Sequence, residues 1–188
     1  MTNTGAVSGD WAEAVLAFWF RELKSSDWFA KSDQVDATIR SGFLDLHERV
    51  AADLPESAAH DPSVALAAVI LTDQMPRNMF RGTPRAFATD AIALAVASRA
   101  VDVGLDRGLG RDERLFLYVP FEHSECLADQ ERAVALITAL EDAAYARYAI
   151  AHRDIIARFG RFPHRNAILG RATTAEEATF LTTPGSSF

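Results

Sequence analysis

Apolar residues recur at intervals of three and four positions along nearly the whole chain, which is the spacing of one face of an α-helix. The clearest stripe has spacings of four, four, three and four, and it consists of Val35, Ile39, Phe43, Leu46 and Val50. No stretch alternates with the period of two that is typical of a half-buried strand. The pattern therefore predicts an all-α fold.

Helix start and stop signals divide this pattern into about eight helices. Side chains that can accept hydrogen bonds from the first backbone N–H groups precede the apolar runs, and proline follows two of them at the first helical position. These predicted caps are Asp10, Ser32, Asp61 before Pro62, Thr83 before Pro84, and Thr174 with Glu177 as a capping box. Gly160 is the predicted C-cap of a long helix. We expect the helices to pack as antiparallel pairs in a single domain.

Further boundaries follow from prolines and polar residues inside the apolar runs. Pro76 removes a backbone donor and should break or kink its helix between Asp73 and Phe80. The helix that begins at Pro84 should extend to Gly104. A short helix capped by Asp112 should stop before Pro120, after which Ser124 should cap the next. A break is expected at Glu141 and Asp142, because the apolar run on either side is too long for one helix.

The composition supports one globular domain. The chain has 188 residues, of which 49% are hydrophobic, so it can bury a sizeable core. Residues 1–9 and 182–188 are expected to be loosely ordered, and no apolar run approaches the roughly 20 residues that span a bilayer. A lone cysteine, Cys126, excludes a disulfide within the chain and is expected to be a half-buried structural residue. The sequence therefore predicts a soluble, cytoplasmic protein with no membrane association.

Positive charge is concentrated near the carboxyl end of the chain. Residues 152–171 contain five arginines and one aspartate, a net charge of +4. The whole chain has a net charge of −7, so the remaining residues carry −11. Such an island attracts either an external anion or an acidic surface of the same molecule. The overall negative charge argues against nucleic acid as a partner.

Three polar blocks interrupt the apolar pattern and contain the candidate binding residues. The first, at the expected kink and the helix that follows it, contains Asp73, Gln74, Arg77, Asn78, Arg81 and Asp90. The second contains Glu122, His123, Ser124 and Glu125, and the third contains His152, Arg161, His164, Arg165, Asn166 and Arg171. In the first block the guanidinium groups of Arg77 and Arg81 can converge on one anion. Alternatively, Asp73 pairs with Arg77, while Gln74 and Asn78 satisfy the carbonyls that Pro76 releases.

Neither a metal nor a cofactor is predicted. Glu122, His123, His152 and His164 have suitable ligand atoms, but no His-x-x-x-His or Glu-x-x-His pair places two ligands on one helical turn. No glycine-rich phosphate loop occurs either. His152 shares a stripe with Ile156 and Phe159, so we expect a semi-buried, hydrogen-bonded side chain there.

The polar blocks also carry a family resemblance. The run from Leu71 to Pro84, the run Pro120 to Glu125, and the run from His152 through Phe159–Asn166 to Arg171 resemble the signature of domain-of-unknown-function family number 924. The resemblance covers nearly the whole chain. It implies an all-α fold related to tetratricopeptide-repeat superhelices and implies no established activity.

Three functional hypotheses remain open. In the first, the three blocks meet in a groove that binds a small anionic molecule or an acidic peptide, with Arg77, Arg81, Arg161 and Arg165 as its lining and His123 and His164 near its floor. In the second, the protein is a hydrolase or lyase in which Glu122 orients His123 as the general base, with His164 a further catalytic candidate. In the third, the arginines pair internally and the protein is an interaction scaffold. The ligand and the oligomeric state stay open.

Overall fold

A computed structural model describes residues 10–187 of the chain. The expected loose order of residues 1–9, and of residue 188, falls outside the described residues, as does the capping role of the Asp10 side chain. At the other end Ser186 is buried, and its hydroxyl donates a hydrogen bond to the carbonyl of Leu181 at 3.2 Å.

The described residues are helical and contain no strand, so the all-α prediction is confirmed. Apart from short 3-10 turns, residues 10–187 contain eight continuous helical segments, in agreement with the expected number, because a π-helical turn joins two of the nine α-helices without a gap. The α-helices are α1 (Asp10–Ala17), α2 (Asp33–Ala52), α3 (Pro62–Val69), α4 (Met75–Met79), α5 (Asp90–Asp102), α6 (Arg111–His123), α7 (Leu127–Thr138), α8 (Ala143–Phe159) and α9 (Ala175–Leu181). No helix among the described residues is both long and apolar enough to cross a membrane.

Local capping signals determine several of these boundaries as expected. The Ser32 hydroxyl accepts the N–H of Val35 at 3.3 Å, and the Asp61 carboxylate accepts two N–H groups at the start of α3. Thr174 forms the predicted capping box with Glu177. Gly160 ends α8 with a φ of 67°, a conformation that glycine adopts without the steric cost of a Cβ atom.

The expected break between α7 and α8 is confirmed and has a clear local cause. Glu141 has a φ of 59°, which is incompatible with a continuing helix. Asp142 then caps α8 by accepting the N–H groups of Ala144 at 2.9 Å and Tyr145 at 3.2 Å. The two helices pack against each other.

Two π-helical turns, Phe18–Glu22 after α1 and Ile70–Gln74 between α3 and α4, were not predicted. The second begins several residues before the expected kink, so the chain departs from α-helical geometry at Ile70. The chain from α3 to α4 continues as one helical segment without a gap. Pro76 lies inside this segment and has no N–H to donate to the carbonyls of the π-helical turn.

The prediction of a helix that begins at Pro84 was wrong. Pro84–Phe87 form only a 3-10 turn, and α5 begins at Asp90. Thr89 has a non-helical backbone, with φ −108° and ψ 6°, which separates the two pieces. α5 ends at Asp102, close to the expected Gly104.

The predicted boundaries of α6 were also wrong. α6 begins at Arg111 and contains Pro120, rather than ending before it. Apolar residues are buried on both sides of the proline, including Phe116 and Phe121 at 0% exposure. Burial of such side chains opposes the roughly 3 kcal/mol cost of a proline in a helix interior. Asp112 lies inside the helix and not at the capping position before it. The carboxylate of Glu113 accepts the N–H of Gly110, the residue before the helix, at 2.7 Å.

The start of α7 differs from the prediction as well. Cys126, not Ser124, is the residue that precedes the helix, and its side chain makes no capping hydrogen bond. Cys126 is exposed, which corrects the expectation of a half-buried residue. The Ser124 hydroxyl accepts the N–H of Cys126 at 3.2 Å and donates to Asp129 at 2.6 Å. Ser124 therefore orders the turn before the helix.

The chain divides into two compact units, which we describe separately. The first unit contains residues 10–81 and 85–120, and the second contains residues 82–84 and 121–187. The single domain expected from the chain length stays a prediction. In the first unit α3 is buried from Val64 to Val69. In the second unit Ile155, Ile156 and Phe162 form a buried core, and Phe159 and Phe180 pack against it.

Candidate functional site

The first polar block lies in the first unit, and Arg77 is tied to two carboxylates there. Its guanidinium group binds Asp90 in a bidentate geometry at 2.8 and 2.9 Å, and lies 3.5 Å from the carboxylate of Asp73. Burial alone would lower the pKa of Arg77, but the charges of Asp73 and Asp90 outweigh it and raise the pKa. An arginine held in this way serves the internal structure of the block.

Arg81 binds a different carboxylate, that of Asp36 in α2. The two guanidinium nitrogens lie 2.7 and 2.8 Å from the carboxylate oxygens, and the amide of Asn78 donates to the same carboxylate at 2.8 Å. Burial would raise the pKa of Asp36, but hydrogen bonds from Arg81 and Asn78 hold it below its ordinary value. Arg77 and Arg81 thus face separate partners in the first unit, and no local sequence pattern indicated Asp36 as a partner.

The π-helical turn leaves backbone carbonyls exposed to side-chain donors, and three residues use them. The carbonyl of Leu71 faces Nδ1 of His47 at 2.9 Å, that of Thr72 accepts the Thr89 hydroxyl at 2.5 Å, and that of Asp73 accepts Arg77 at 2.6 Å. One of the two sequence alternatives assigned this role to Gln74 and Asn78, but their amides donate to the carboxylates of Asp73 and Asp36. Gln74 donates to the Asp73 carboxylate at 2.6 Å.

The second and third polar blocks both lie in the second unit, where Glu125 joins them. One carboxylate oxygen of Glu125 accepts the backbone N–H of Phe162 at 2.8 Å, and the carboxylate binds Arg171 at 2.7 and 3.0 Å. Burial would raise the pKa of Glu125, but hydrogen bonds from Arg171 and Phe162 hold it below its ordinary value. Arg171 also donates to the carbonyl of Phe162 and the amide oxygen of Asn166, both at 3.0 Å.

Glu177 of α9 fastens the same loop from its other side. Its carboxylate accepts Arg161 at 2.6 and 2.9 Å, the N–H of Thr174 at 2.7 Å, and the amide of Asn166 at 3.3 Å. The hydrogen bond from Arg161, followed by that from Thr174, lowers the pKa of Glu177 to about 2. We call these residues, Glu125, Arg161, Asn166, Arg171 and Glu177, the loop fastening.

The fastened loop carries His164 and Arg165 into a group of ionisable side chains around the ring of Phe162. The ring centroid of Phe162 lies 5.5 Å from that of His164 and 5.7 Å from that of His152, and the guanidinium carbon of Arg165 lies 4.4 Å from it. The rings of His123 and His152 are 6.3 Å apart. We call Glu122, His123, His152, His164 and Arg165 the imidazole cluster.

The imidazole cluster is partly enclosed. Glu122, His152 and Arg165 are buried, with exposures of 6%, 7% and 6%, whereas His123 and His164 are half-buried. Arg165 donates to the backbone carbonyl of His123 at 3.1 Å, which links the loop to the end of α6. Gln130, which the sequence did not single out, donates to the carbonyls of Glu122 and Ser124 at 2.6 and 2.7 Å and so fixes this helix end.

The carboxylate of Glu122 has His152 as a close neighbour. Its Oε1 lies 3.6 Å from Nδ1 of His152, and the same nitrogen lies 2.9 Å from the carbonyl of Tyr148. A carbonyl oxygen only accepts, so this Nδ1 carries a hydrogen, and in the neutral ring Nε2 carries the lone pair. His152 therefore combines the buried, hydrogen-bonded position expected from its apolar stripe with a carboxylate neighbour.

The sequence predicts that the three polar blocks form one site, and the structure brings two of them together. Two of the three polar blocks share the second unit, and the first block belongs to the first unit. That all three meet in one groove stays a prediction. Among residues 10–187, no group of three or more histidine, cysteine, aspartate or glutamate side chains is placed to hold a metal ion.

The fold and these contacts define an all-α protein with a loop fastened over a cluster of imidazoles. The chain belongs to the family described as bacterial proteins of unknown function, DUF924, whose pattern matches residues 15–185. It is similar to a solved structure, that of the protein of unknown function ATU0120 from Agrobacterium tumefaciens. The two share 40% identity, the alignment covers 91% of this chain and 96% of the other, and the TM-score is 0.86. A search of the curated proteins gave no match.

Proposed function

We propose that the protein binds a small anionic molecule, a carboxylate or phosphate compound or an acidic peptide end, at the imidazole cluster of the second unit. The observation that carries the proposal is that polar residues of the basic segment, residues 152–171, have two different roles. Some of its polar residues fasten the loop, and the fastened loop presents His164 and Arg165 beside His123. Binding residues are frequently presented by loops that a rigid scaffold positions.

Preorganisation supports the proposal. Both backbone polar groups of Phe162 are engaged, its N–H by Glu125 and its carbonyl by Arg171. A loop held in this way loses little conformational entropy when a ligand binds. Several charged side chains therefore hold one short segment in a fixed position, which is an arrangement suited to ligand recognition.

The chemistry of the presented groups suits an anion. The guanidinium carbon of Arg165 lies 4.4 Å from the ring centroid of Phe162, a cation–π contact. A planar guanidinium matches the geometry of carboxylate and phosphate. The half-buried imidazoles of His123 and His164 are accessible from solvent in part, and they add donors beside it. Clusters of buried ionisable groups are also typical of functional sites.

Four other arginines of the polar blocks form ion pairs within the protein, as the third hypothesis from the sequence expects. Arg77 and Arg81 bind carboxylates of the first unit, and Arg161 and Arg171 belong to the loop fastening. We assign the ligand contacts to Arg165 and the imidazoles because these groups lie together around the ring of Phe162. The other four arginines stabilise the structure around them.

A thermal-shift screen of phosphate, sulfate, citrate, malate and acetate tests the proposal, with R165Q as the diagnostic variant. A ligand at about one hundred times its Kd stabilises a protein by about 2.7 kcal/mol, which is a shift of several degrees in Tm for a chain of this size. We expect a shift in the wild type and a much smaller one in R165Q.

R147Q is the matched control, because Arg147 is an exposed arginine of α8 in the same unit. It should respond to the same anions as the wild type. The proposal is wrong if no anion stabilises the wild type, or if R165Q is stabilised as strongly as R147Q.

A hydrolase or lyase activity is a second candidate, and one observation favours it. Glu122 lies 3.6 Å from Nδ1 of His152, and a carboxylate beside an imidazole supports general acid–base chemistry. This geometry makes His152 a candidate base in addition to His123. A screen of ester, phosphoester and amide substrates with the wild type, H123Q and H152Q tests it, because an activity from the cluster should be lost in at least one variant.

A further inference from the structure

We infer that an anion binds to the imidazole cluster together with a proton, so that its affinity rises as the pH falls through the titration of the imidazoles. This inference rests on the proposed function and specifies how the same site is regulated. Its basis is the balance of fixed charge around the cluster and the concentration of histidine within it.

Fixed charges of both signs lie around the cluster. The carboxylates include Glu122 of α6, Glu125 before α7, Asp129 of α7 and Glu177 of α9, and the cations include Arg132 of α7 and Arg161, Arg165 and Arg171 of the loop. The carboxylates offset positive charge of the arginines, so additional positive charge on the imidazoles favours a ligand that carries negative charge.

The imidazoles supply the groups that can change this balance. Three of the five histidines of the chain, His123, His152 and His164, lie in the cluster. Histidine is the side chain whose ordinary pKa, about 6.5, lets it gain a proton near neutral pH. An anion close to these rings favours their protonated form, which raises the imidazole pKa in the complex.

The sign of the pH dependence follows from this linkage. If the complex binds more protons than the free protein, affinity falls as the pH rises, by up to about tenfold per pH unit for one proton taken up. We assign the uptake to the half-buried rings of His123 and His164. The third ring, His152, already holds Tyr148 through Nδ1 and faces Glu122.

Titration calorimetry with sulfate tests the inference, because sulfate does not change protonation between pH 5.5 and 8. We expect the sulfate affinity of the full chain to fall across this range. Repeating the titration at pH 7 in two buffers with different ionisation enthalpies should show that a fraction of a proton, and at most one, is taken up per sulfate.

Variants identify the group that takes up the proton. H123Q, H164Q or both together should flatten the pH dependence, whereas H60Q should leave it unchanged, because His60 is exposed and belongs to the first unit. Sulfate binding without proton uptake, or a slope that persists in the double variant, overturns this inference and leaves anion binding intact. Failure of sulfate to bind anywhere between pH 5.5 and 8 overturns the inference and counts against the proposed function.

Discussion

The carboxylate of Glu125 accepts the backbone N–H of Phe162 at 2.8 Å, although the two residues are 37 positions apart. The contact joins the turn before α7 to the loop after α8, and Arg171 completes it by binding the same carboxylate. Since Phe162 is fully buried beneath the imidazole cluster, this contact determines where His164 and Arg165 lie.

Removing the charge of Glu125 should destabilise the protein. In E125Q the amide can accept the Phe162 N–H but cannot form the bidentate ion pair with Arg171. We expect a loss of about 1–3 kcal/mol in the free energy of unfolding, measured by urea denaturation, because the pair is only partly exposed. The control is E176Q, which breaks the exposed pair with Arg158 and should cost less than about 1 kcal/mol. Equal losses in the two variants would show that Glu125 has no special role.

The hydroxyl of Thr89 should matter for the π-helical turn of the first unit. T89V keeps the shape of the side chain but removes the donor to the buried carbonyl of Thr72. We expect a loss of about 1–3 kcal/mol in the free energy of unfolding, which is the usual cost of leaving a buried acceptor unsatisfied. T89S retains a hydroxyl and should recover most of the loss. If T89S is no more stable than T89V, restoring the hydroxyl does not restore stability and the hydrogen-bond explanation is wrong.

The features that sequence predicted correctly depend on neighbouring residues. Ser32, Asp61 and Thr174 cap helices through backbone groups two or three positions away, so the signal and its partner occur together in the sequence. Gly160 likewise ends α8 through its own backbone conformation. Such local chemistry, together with the apolar periodicity, was sufficient for the fold class and for most helices.

The features that sequence missed depend on distant residues. Pro120 is kept inside α6 by tertiary burial, and the π-helical turn is satisfied by Thr89 and His47, which lie 17 and 24 positions from the carbonyls they bind. The partner of Arg81 is Asp36, 45 positions away. Local pattern indicated that these polar residues needed partners but contained no information on which partners they would find.

The low pKa of Glu177 should depend on Arg161. In the wild type the hydrogen bond from Arg161 makes the largest contribution to a pKa of about 2, so the side chain should titrate well below the ordinary glutamate value. R161Q should raise the pKa of Glu177, as measured by carbon-13 NMR of the carboxyl group. The control is R158Q, which removes a neighbouring arginine that binds Glu176 instead. An unchanged Glu177 pKa in R161Q would mean that Thr174 and Asn166 are sufficient.

Stability should fall in mild acid because of His47. Burial, which outweighs the favourable contact with the Leu71 carbonyl, lowers the pKa of His47 below 6.5. The unfolded chain therefore binds a proton at a higher pH than the folded chain does. The stabilising contribution of neutral His47 is complete above the unfolded pKa of about 6.5 and is lost as the pH falls from there toward the folded pKa, by up to about 1.4 kcal/mol per pH unit.

The measurement is the free energy of unfolding of the wild type and of H47Q between pH 5 and 7.5. H47Q should be less stable at pH 7.5, because it loses the ring packed against Phe80, but its stability should fall less steeply toward pH 5. H60Q changes an exposed histidine of the same unit and should retain the wild-type slope. Parallel curves for the wild type and H47Q would show that His47 does not cause the acid sensitivity. If H47Q does not fold, NMR titration of His47 in the wild type decides the matter, because a pKa at or above 6.5 contradicts the argument.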